Sequence, residues 1–215
     1  VVGDVGCGDG IIDLGLVHRG APRQLTGFDL NEVDTERLAR LAEERGLPAI
    51  PDTLHFARST ATSLPAPDDT FDVVVTWSAF EHVGDPLTLM RDIGRVLKPD
   101  GLLFLQIWPL FHSEHGGHLW DWTGGDFPHL TRSPDAVQRE ILESGREHAA
   151  YMADEVRHLN RATIDDLQRA ILAAGLAVRK LELMTSTVHI PQALMRYPLS
   201  DLGITGVKLL ATPMT

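Results

Sequence analysis

Val1-Val2-Gly3-Asp4-Val5-Gly6-Cys7-Gly8-Asp9-Gly10 is the stretch that decides the fold. A short β-branched run ends in a glycine-rich turn, and Ile11 to Val17 beyond it suits a helix, so the order is strand, tight turn, helix. In a sheet built by such alternation, ligands sit beyond the carboxyl ends of the strands, which makes this first turn the place to look for a site. A dinucleotide fingerprint would read G-x-G-x-x-G. Counting from Gly6, the sixth position is Ile11, and the spacing is G-x-G-x-G instead. An acid just before the turn, Asp4, suits a cationic ligand better than a phosphate. Asp29 follows about 20 residues on, at the end of a second strand, where a carboxylate can accept both hydroxyls of a ribose.

Outward from that turn the same rhythm continues. Gln24 to Asp29 reads as a strand, and Asn31 is the expected N-cap of a helix carrying Val33, Leu38 and Leu41 until Gly46-Leu47-Pro48 stops it. Leu54 to Arg58 is a weaker strand and Phe71 to Trp77 a near-continuous apolar run of the kind buried in parallel sheets. Asp85 caps the next helix with Pro86 at its first position, and Leu87, Met90, Ile93 and Leu97 form its stripe up to Lys98-Pro99-Asp100-Gly101. Leu102 to Trp108 is strand five. The rhythm breaks at Pro109, and residues 109–160 read as an insert or lid. Thr163 caps a further helix ending at Gly175, with strands at Ala177 to Leu183 and Val207 to Thr212. The pattern implies a doubly wound, Rossmann-like α/β fold: a mostly parallel seven-stranded sheet whose closing strands pair as a hairpin.

The 215 residues are 43% hydrophobic and carry 19 Lys plus Arg against 30 Asp plus Glu, a net charge of -11. The scattered basic residues disfavour a nucleic-acid partner, which would draw on clustered Lys and Arg. No apolar run approaches the ~18 residues of a membrane span. The single cysteine, Cys7, forms no internal disulfide, so a reducing cytoplasm is the expected compartment. The chain opens at Val1 without a Met, and some N-terminal sequence is expected to precede it.

The acid-x-G-x-G-x-G turn, the strand-two Asp29, and Leu64-Pro65 ahead of Phe71-Asp72-Val73-Val74-Val75 resemble class I S-adenosylmethionine (SAM)-dependent methyltransferases. Glu81-His82-Val83, Asp85-Pro86 and Arg95-Val96-Leu97-Lys98-Pro99-Asp100-Gly101 are similar to the methyltransferase type 11 group. The likeness covers residues 1–108, the expected SAM-binding core; residues 109–160 are then the lid and substrate insert, and 161–215 close the same domain. The resemblance implies that Gly6 and Gly8 let the backbone approach the methionyl and ribose parts and that Asp4 helps hold the ammonium. It implies that Asp29 takes the ribose hydroxyls, that Leu30 packs on adenine, and that Ala61 contributes backbone contacts; Trp77 is counted with them. Where the family usually has an acid beside the adenine amino group, this chain has Thr60-Ala61-Thr62-Ser63. The plain alternative is a tight strand-to-helix connection with Asp29 as a helix-capping acid.

Trp77-Ser78-Ala79-Phe80 lacks the Asn/Asp-Pro-Pro-aromatic tetrapeptide of methyltransferases that act on amide or base nitrogens. A small-molecule acceptor follows, methylated at oxygen with a histidine as general base. The candidates are His82, His115 and His118, with Trp120 and Trp122 of the insert enclosing the acceptor. Glu81-His82 also resembles the Glu-x-x-Glu-His segment that ubiquinone-pathway O-methyltransferases associate with a divalent metal. Its first Glu is Ser78 here, so no metal is assigned. Metal-assisted O-methylation through Glu81, His82 or the His112 to His118 run, N-methylation of a small amine, and a non-catalytic SAM-binding module are the alternatives. His148 and His158 read as solvated helix residues, and the tryptophans have a plain reading as packing for the insert.

Overall fold

The computed structural model describes residues 1–119 and 121–214. Seven strands, β1 (Val2–Val5), β2 (Leu25–Asp29), β3 (Leu54–Arg58), β4 (Phe71–Trp77), β5 (Leu97–Ile107), β6 (Leu176–Thr185) and β7 (Ile204–Pro213), form one sheet in the order β3-β2-β1-β4-β5-β7-β6. Neighbours are parallel except β7, which runs antiparallel to both β5 and β6. The order reverses between β1 and β4. Both strands therefore end at the switch point where an open sheet leaves a crevice.

Helices cover both faces. Leu25 and Phe28 on β2 have opposite parity and feed different cores. Leu25 joins Leu14 and Val17 of α1 (Ile11–Gly20) and Leu38 and Ala42 of α2 (Thr35–Glu44). Phe28 joins Met90 and Ile93 of α3 (Pro86–Val96), Leu103 and Leu105 of β5, and Ile171 of a later helix. Among the described residues no helix is long and apolar enough to cross a membrane.

Two boundaries differ from the expected ones. The N-cap of α2 is Asp34, which accepts from Arg37 N at 2.8 Å, because the backbone N–H of Asn31 is instead given to Asp29. Lys98-Pro99-Asp100-Gly101 does not separate α3 from the sheet: β5 already begins at Leu97. The pairing steps from Phe71↔Leu97 to Val73↔Leu102, so the turn survives as a bulge inside the strand.

Between β5 and the helix α7 (Ile164–Ala173) the chain forms α4 (Pro128–Thr131), α5 (Pro134–Glu143) and α6 (Ala149–His158). These carry a small core of their own, with Leu119, Val137, Ile141 and Ala153 buried. The cap of α7 is the capping box expected at Thr163: its N–H donates to Asp166 Oδ2 at 2.9 Å while Asp166 N donates to its hydroxyl at 3.2 Å. A short α8 (Leu199–Gly203) precedes β7.

Candidate active site

The turn after β1 is built from left-handed residues. Gly6 has φ +84° and Gly8 φ +59°, conformations that an L side chain resists. A Cβ on Gly6 would also collide with Ala79 Cβ, so the turn can pass only as glycine beneath the segment that follows β4. The N–H groups of Gly6 and Cys7 both donate to Phe28 O, at 2.8 and 3.1 Å, which docks the turn on the end of β2. There Asp29 takes over: its Oδ2 accepts from Gly8 N at 3.1 Å and its Oδ1 from Asn31 N at 2.9 Å. Oδ1 also accepts a long bond from Asn31 Nδ2 at 3.5 Å, which a ligand hydroxyl can displace, and Oδ2 keeps a lone pair for a ligand hydroxyl.

This turn is one wall of a cavity of about 570 Å³, in the size range of small-molecule sites. Gly6, Gly8, Asp29, Leu30 and Ala61 line it. Leu30 stands half exposed, its carbonyl held by Arg58 Nε at 2.9 Å, so its side chain is presented as an apolar platform. Thr60 also lines the cavity, its hydroxyl closing the local turn by donating to Ser63 O at 3.4 Å. Thr76, at the floor, is fully buried with an unpartnered Oγ1. A glycine cradle, a ribose-type carboxylate and an apolar shelf along one cavity fit a nucleoside carrying a short polar tail.

The opposite wall comes from the 3-10 turn Phe80–His82 and from α6. His82 lines the cavity with Nδ1 3.6 Å from Glu155 Oε1, and burial lowers its pKa below the ordinary histidine value. Tyr151, Asp154, Glu155 and His158 line it from α6 at i, i+3, i+4 and i+7, one face of the helix. That face was missed because Glu155 and His158 look like solvated residues in a charged stretch; their spacing is the signal that could have found them.

The other candidates are placed apart. Asp4 lies buried beneath the turn, outside the cavity lining. Trp77 points away from the cavity, its ring packed on Phe104 at 5.3 Å. The position before Ser78 has the wrong strand parity to face the ligand. His115 packs near Trp108, with Nε2 3.3 Å from Glu114, and is not part of the lining. Trp122 packs against the insert's own core and carries the Arg146 guanidinium over its ring at 4.8 Å, so the insert uses it internally. Trp120 lies outside the described residues.

His118 reaches the site from behind, edge-on to His82 with ring centroids 5.2 Å apart, and burial lowers its pKa to about 4. Glu81 is buried, with Oε2 unpartnered and its carboxyl pushed up to about 8 chiefly by burial. Ligand atoms of Glu81, His82 and His118 all lie within 4.8 Å of one another, close enough to hold a divalent cation among them.

Asn160, just past α6, fastens this wall. Its Nδ2 donates to Phe80 O at 2.7 Å and Val83 O at 3.0 Å, its N–H donates to Glu81 O at 2.9 Å, and its Oδ1 accepts from Ala162 N at 3.1 Å. Asn160→Ala takes the side-chain donor from Val83 O and leaves Phe80 O with only its 3.3 Å bond from Val83 N, and the expected cost is about 2 kcal/mol of stability. Urea denaturation reads that cost, and amide exchange should rise at His82 and Val83. Unchanged stability and exchange would mean the clamp holds nothing.

The methyltransferase domain model matches residues 2–181 of this chain. The chain is 36% identical over 107 residues to the ubiquinone biosynthesis O-methyltransferase of Haemophilus ducreyi, covering 47% of this chain and 42% of that protein. It is 32% identical over 102 residues to the uncharacterized methyltransferase YcgJ of Bacillus subtilis, covering 47% of this chain and 38% of that one. The chain thus spans about two fifths of the length of such curated relatives. Among solved structures, the [4+2]-cyclase SpnF superposes with a TM-score of 0.61 at 23% identity, over 100% of this chain and 74% of that one. A geranyl diphosphate methyltransferase in complex with SAM does so with 0.59 at 16% identity, over 99% and 77%. These two likenesses speak for the fold, and the domain model for the lineage. With a cavity shaped for a nucleoside at the family's own switch point, the chain belongs to the class I SAM-dependent methyltransferases, whose cofactor is S-adenosylmethionine.

Proposed function

We propose that this chain transfers a methyl group from S-adenosylmethionine to an oxygen of a small molecule, with His82 as general base. The observation that carries the reading is that His82 lines the same cavity as the Gly6, Gly8 and Asp29 cradle, its far nitrogen side backed by Glu155. When bound, the cofactor supplies an activated methyl on a sulfonium. Gly6 and Gly8 admit its backbone-hugging tail, Asp29 fixes the ribose hydroxyls and Leu30 covers the adenine. His82 then takes the acceptor's hydroxyl proton, while Glu155 orients the ring and stabilises the imidazolium that forms. Positioning is the larger share of the acceleration, about 7 to 11 kcal/mol for a well-aligned attack.

The lowered pKa keeps His82 neutral and able to accept a proton at neutral pH. The rate should therefore rise with pH below the ordinary histidine value of about 6.5 and be flat above it. With an acceptor found by screening phenols and alcohols, His82→Gln is expected to lower kcat by about 100-fold or more while S-adenosylhomocysteine affinity stays as in the wild type. An unchanged kcat would sink the base assignment.

The convergence of Glu81, His82 and His118 favours one second reading, a divalent cation that binds the acceptor oxygen and acidifies its proton. Full turnover after exhaustive chelation would remove it; turnover lost on chelation and restored by added metal would replace the base with the cation.

A further inference from the structure

Under the glycine turn lies a pair of acids that the methyl-transfer account does not use. Asp13, in the first turn of α1, is 0% exposed, and Asp4, on β1, is 4% exposed. Neither oxygen of Asp13 has a hydrogen-bond partner, nor does Asp4 Oδ1. An acid in a first helical turn normally faces water and favours the helix dipole as an ion. Asp13 instead points inward, where an unpaired carboxylate costs several kcal/mol and a small neutral side chain would pack without penalty. The packing around it is tight: a Cβ added at Gly27 on β2 would collide with Asp13 Oδ2 and lie 2.9 Å from Cys7 Sγ.

The groups that face this pair are acidic or neutral. Asp4 comes from β1, Asp13 from α1, Cys7 from the turn and Asp29 from the end of β2, with no cationic side chain acting on either carboxyl. Asp4 stands in register with Gly27, the residue whose Cβ would meet Asp13 Oδ2, so the two acids share one buried place; two carboxylates so close and out of water do not both ionise and hold one proton between them. The titration directions agree. Burial raises both carboxyls; the charge of Asp4 raises Asp13 further, and the charge of Asp29 adds to the rise at Asp4. The Cys7 thiol is pushed up by burial and then by the charges of Asp13, Asp4 and Asp29.

We propose that Asp4 and Asp13 form a one-proton acid pair belonging to the cofactor site, and that binding of the cofactor's ammonium group discharges that proton to solvent. The proposal rests on the cofactor reading above, which sets the methionyl end of the ligand over the Asp4 end of β1. The O–H bond of the pair breaks, its proton goes to the buffer, the ligand keeps its own three ammonium protons, and the doubly ionised pair beneath the turn then balances one cation above it through Asp4. Asp13 acts through Asp4 and is a positioning residue. Because binding releases a proton, affinity must rise with pH. The bound form is favoured about tenfold per pH unit while the free pair is protonated and the bound pair is not.

The test is calorimetric titration of the purified chain with S-adenosylhomocysteine between pH 6.0 and 7.5, where the ligand's amine remains mostly protonated. Each pH is run in two buffers of different ionisation enthalpy. The wild type should release close to one proton per ligand bound, and its Kd should fall about tenfold per pH unit. Asp13→Asn keeps a donor for Asp4 but has no proton to lose, so its Kd should be independent of pH and its observed enthalpy independent of buffer. Should that variant not fold, the wild-type buffer comparison and Asp13→Ser decide. Wild-type binding without proton release overturns the acid pair and leaves the cofactor reading standing. Proton release that persists in Asp13→Asn assigns the proton elsewhere and also overturns it. No binding by the wild type overturns both.

Discussion

Asp29→Ala is expected to weaken S-adenosylhomocysteine binding by roughly 100-fold or more without unfolding the chain. The carboxylate does two things at once. It ties the glycine turn to the start of the next loop through Gly8 N and Asn31 N, and under the proposed function it also accepts the ribose hydroxyls, displacing the long Asn31 Nδ2 contact. Hydrogen bonds to a charged acceptor contribute about 1.5 to 3 kcal/mol each, so two lost ribose contacts alone reach the expected factor. Asp29→Asn keeps one accepting oxygen and should fall between the two. Calorimetry reads both variants, and an Asp29→Ala protein that binds as tightly as the wild type would remove Asp29 from the site.

Gly6→Val is expected to unfold the turn, lowering stability by several kcal/mol and abolishing binding. A side chain at φ +84° costs about 1 to 2 kcal/mol. The collision with Ala79 adds an overpacking cost of about 1 to 3 kcal/mol, because Ala79 sits on the backbone between β4 and the His82 turn and has nowhere to move. Gly8→Ala separates the two effects. Its φ is also left-handed, but the added Cβ meets nothing within 4 Å. Stability should drop by only about 1 kcal/mol, while the new methyl, placed in a residue that lines the cavity, obstructs the ligand. Urea melts and S-adenosylhomocysteine titrations on the pair discriminate: equal stability of Gly6→Val and wild type would contradict the close packing of the turn.

That Gly6, Gly8, Asp29 and Leu30 would share a place was legible in the sequence because its determinants are local. They sit at the ends of β1 and β2, and strand periodicity fixes where such ends meet. The strands along the chain and the capping residues Asp85 and Thr163 were legible for the same reason. The opposite wall was not. Which face of α6 turns toward the sheet depends on how the insert's core of Leu119, Val137 and Ile141 docks, and no local spacing encodes that. For the tryptophans, ring size says that a residue buries area without saying where: the Trp77 ring packs on Phe104, and Trp122 carries Arg146 over its ring, in line with the plain packing alternative for the insert. Asp13 is a different failure. In sequence it is an ordinary first-turn acid, and only its complete burial in the structure sets it apart and motivates the proposed shared proton.

The three histidine candidates divide along the same line. His82 lies next to a strand end and reaches the cavity, whereas His115 and His118 depend on the fold of the insert; of these only His118 comes close, and it contacts His82. Tyr151, Asp154, Glu155 and His158 of α6 line the wall opposite the glycine turn, and under the proposed function that wall is where an acceptor is selected.

Calorimetric titration of the wild-type chain with S-adenosylhomocysteine tests the central claim most directly, since it requires no knowledge of the acceptor. Saturable one-to-one binding in the micromolar range, lost in Asp29→Ala, is the result predicted by a nucleoside cavity bounded by Gly6, Gly8 and Asp29. Absence of binding at millimolar ligand by a folded wild-type chain would contradict it.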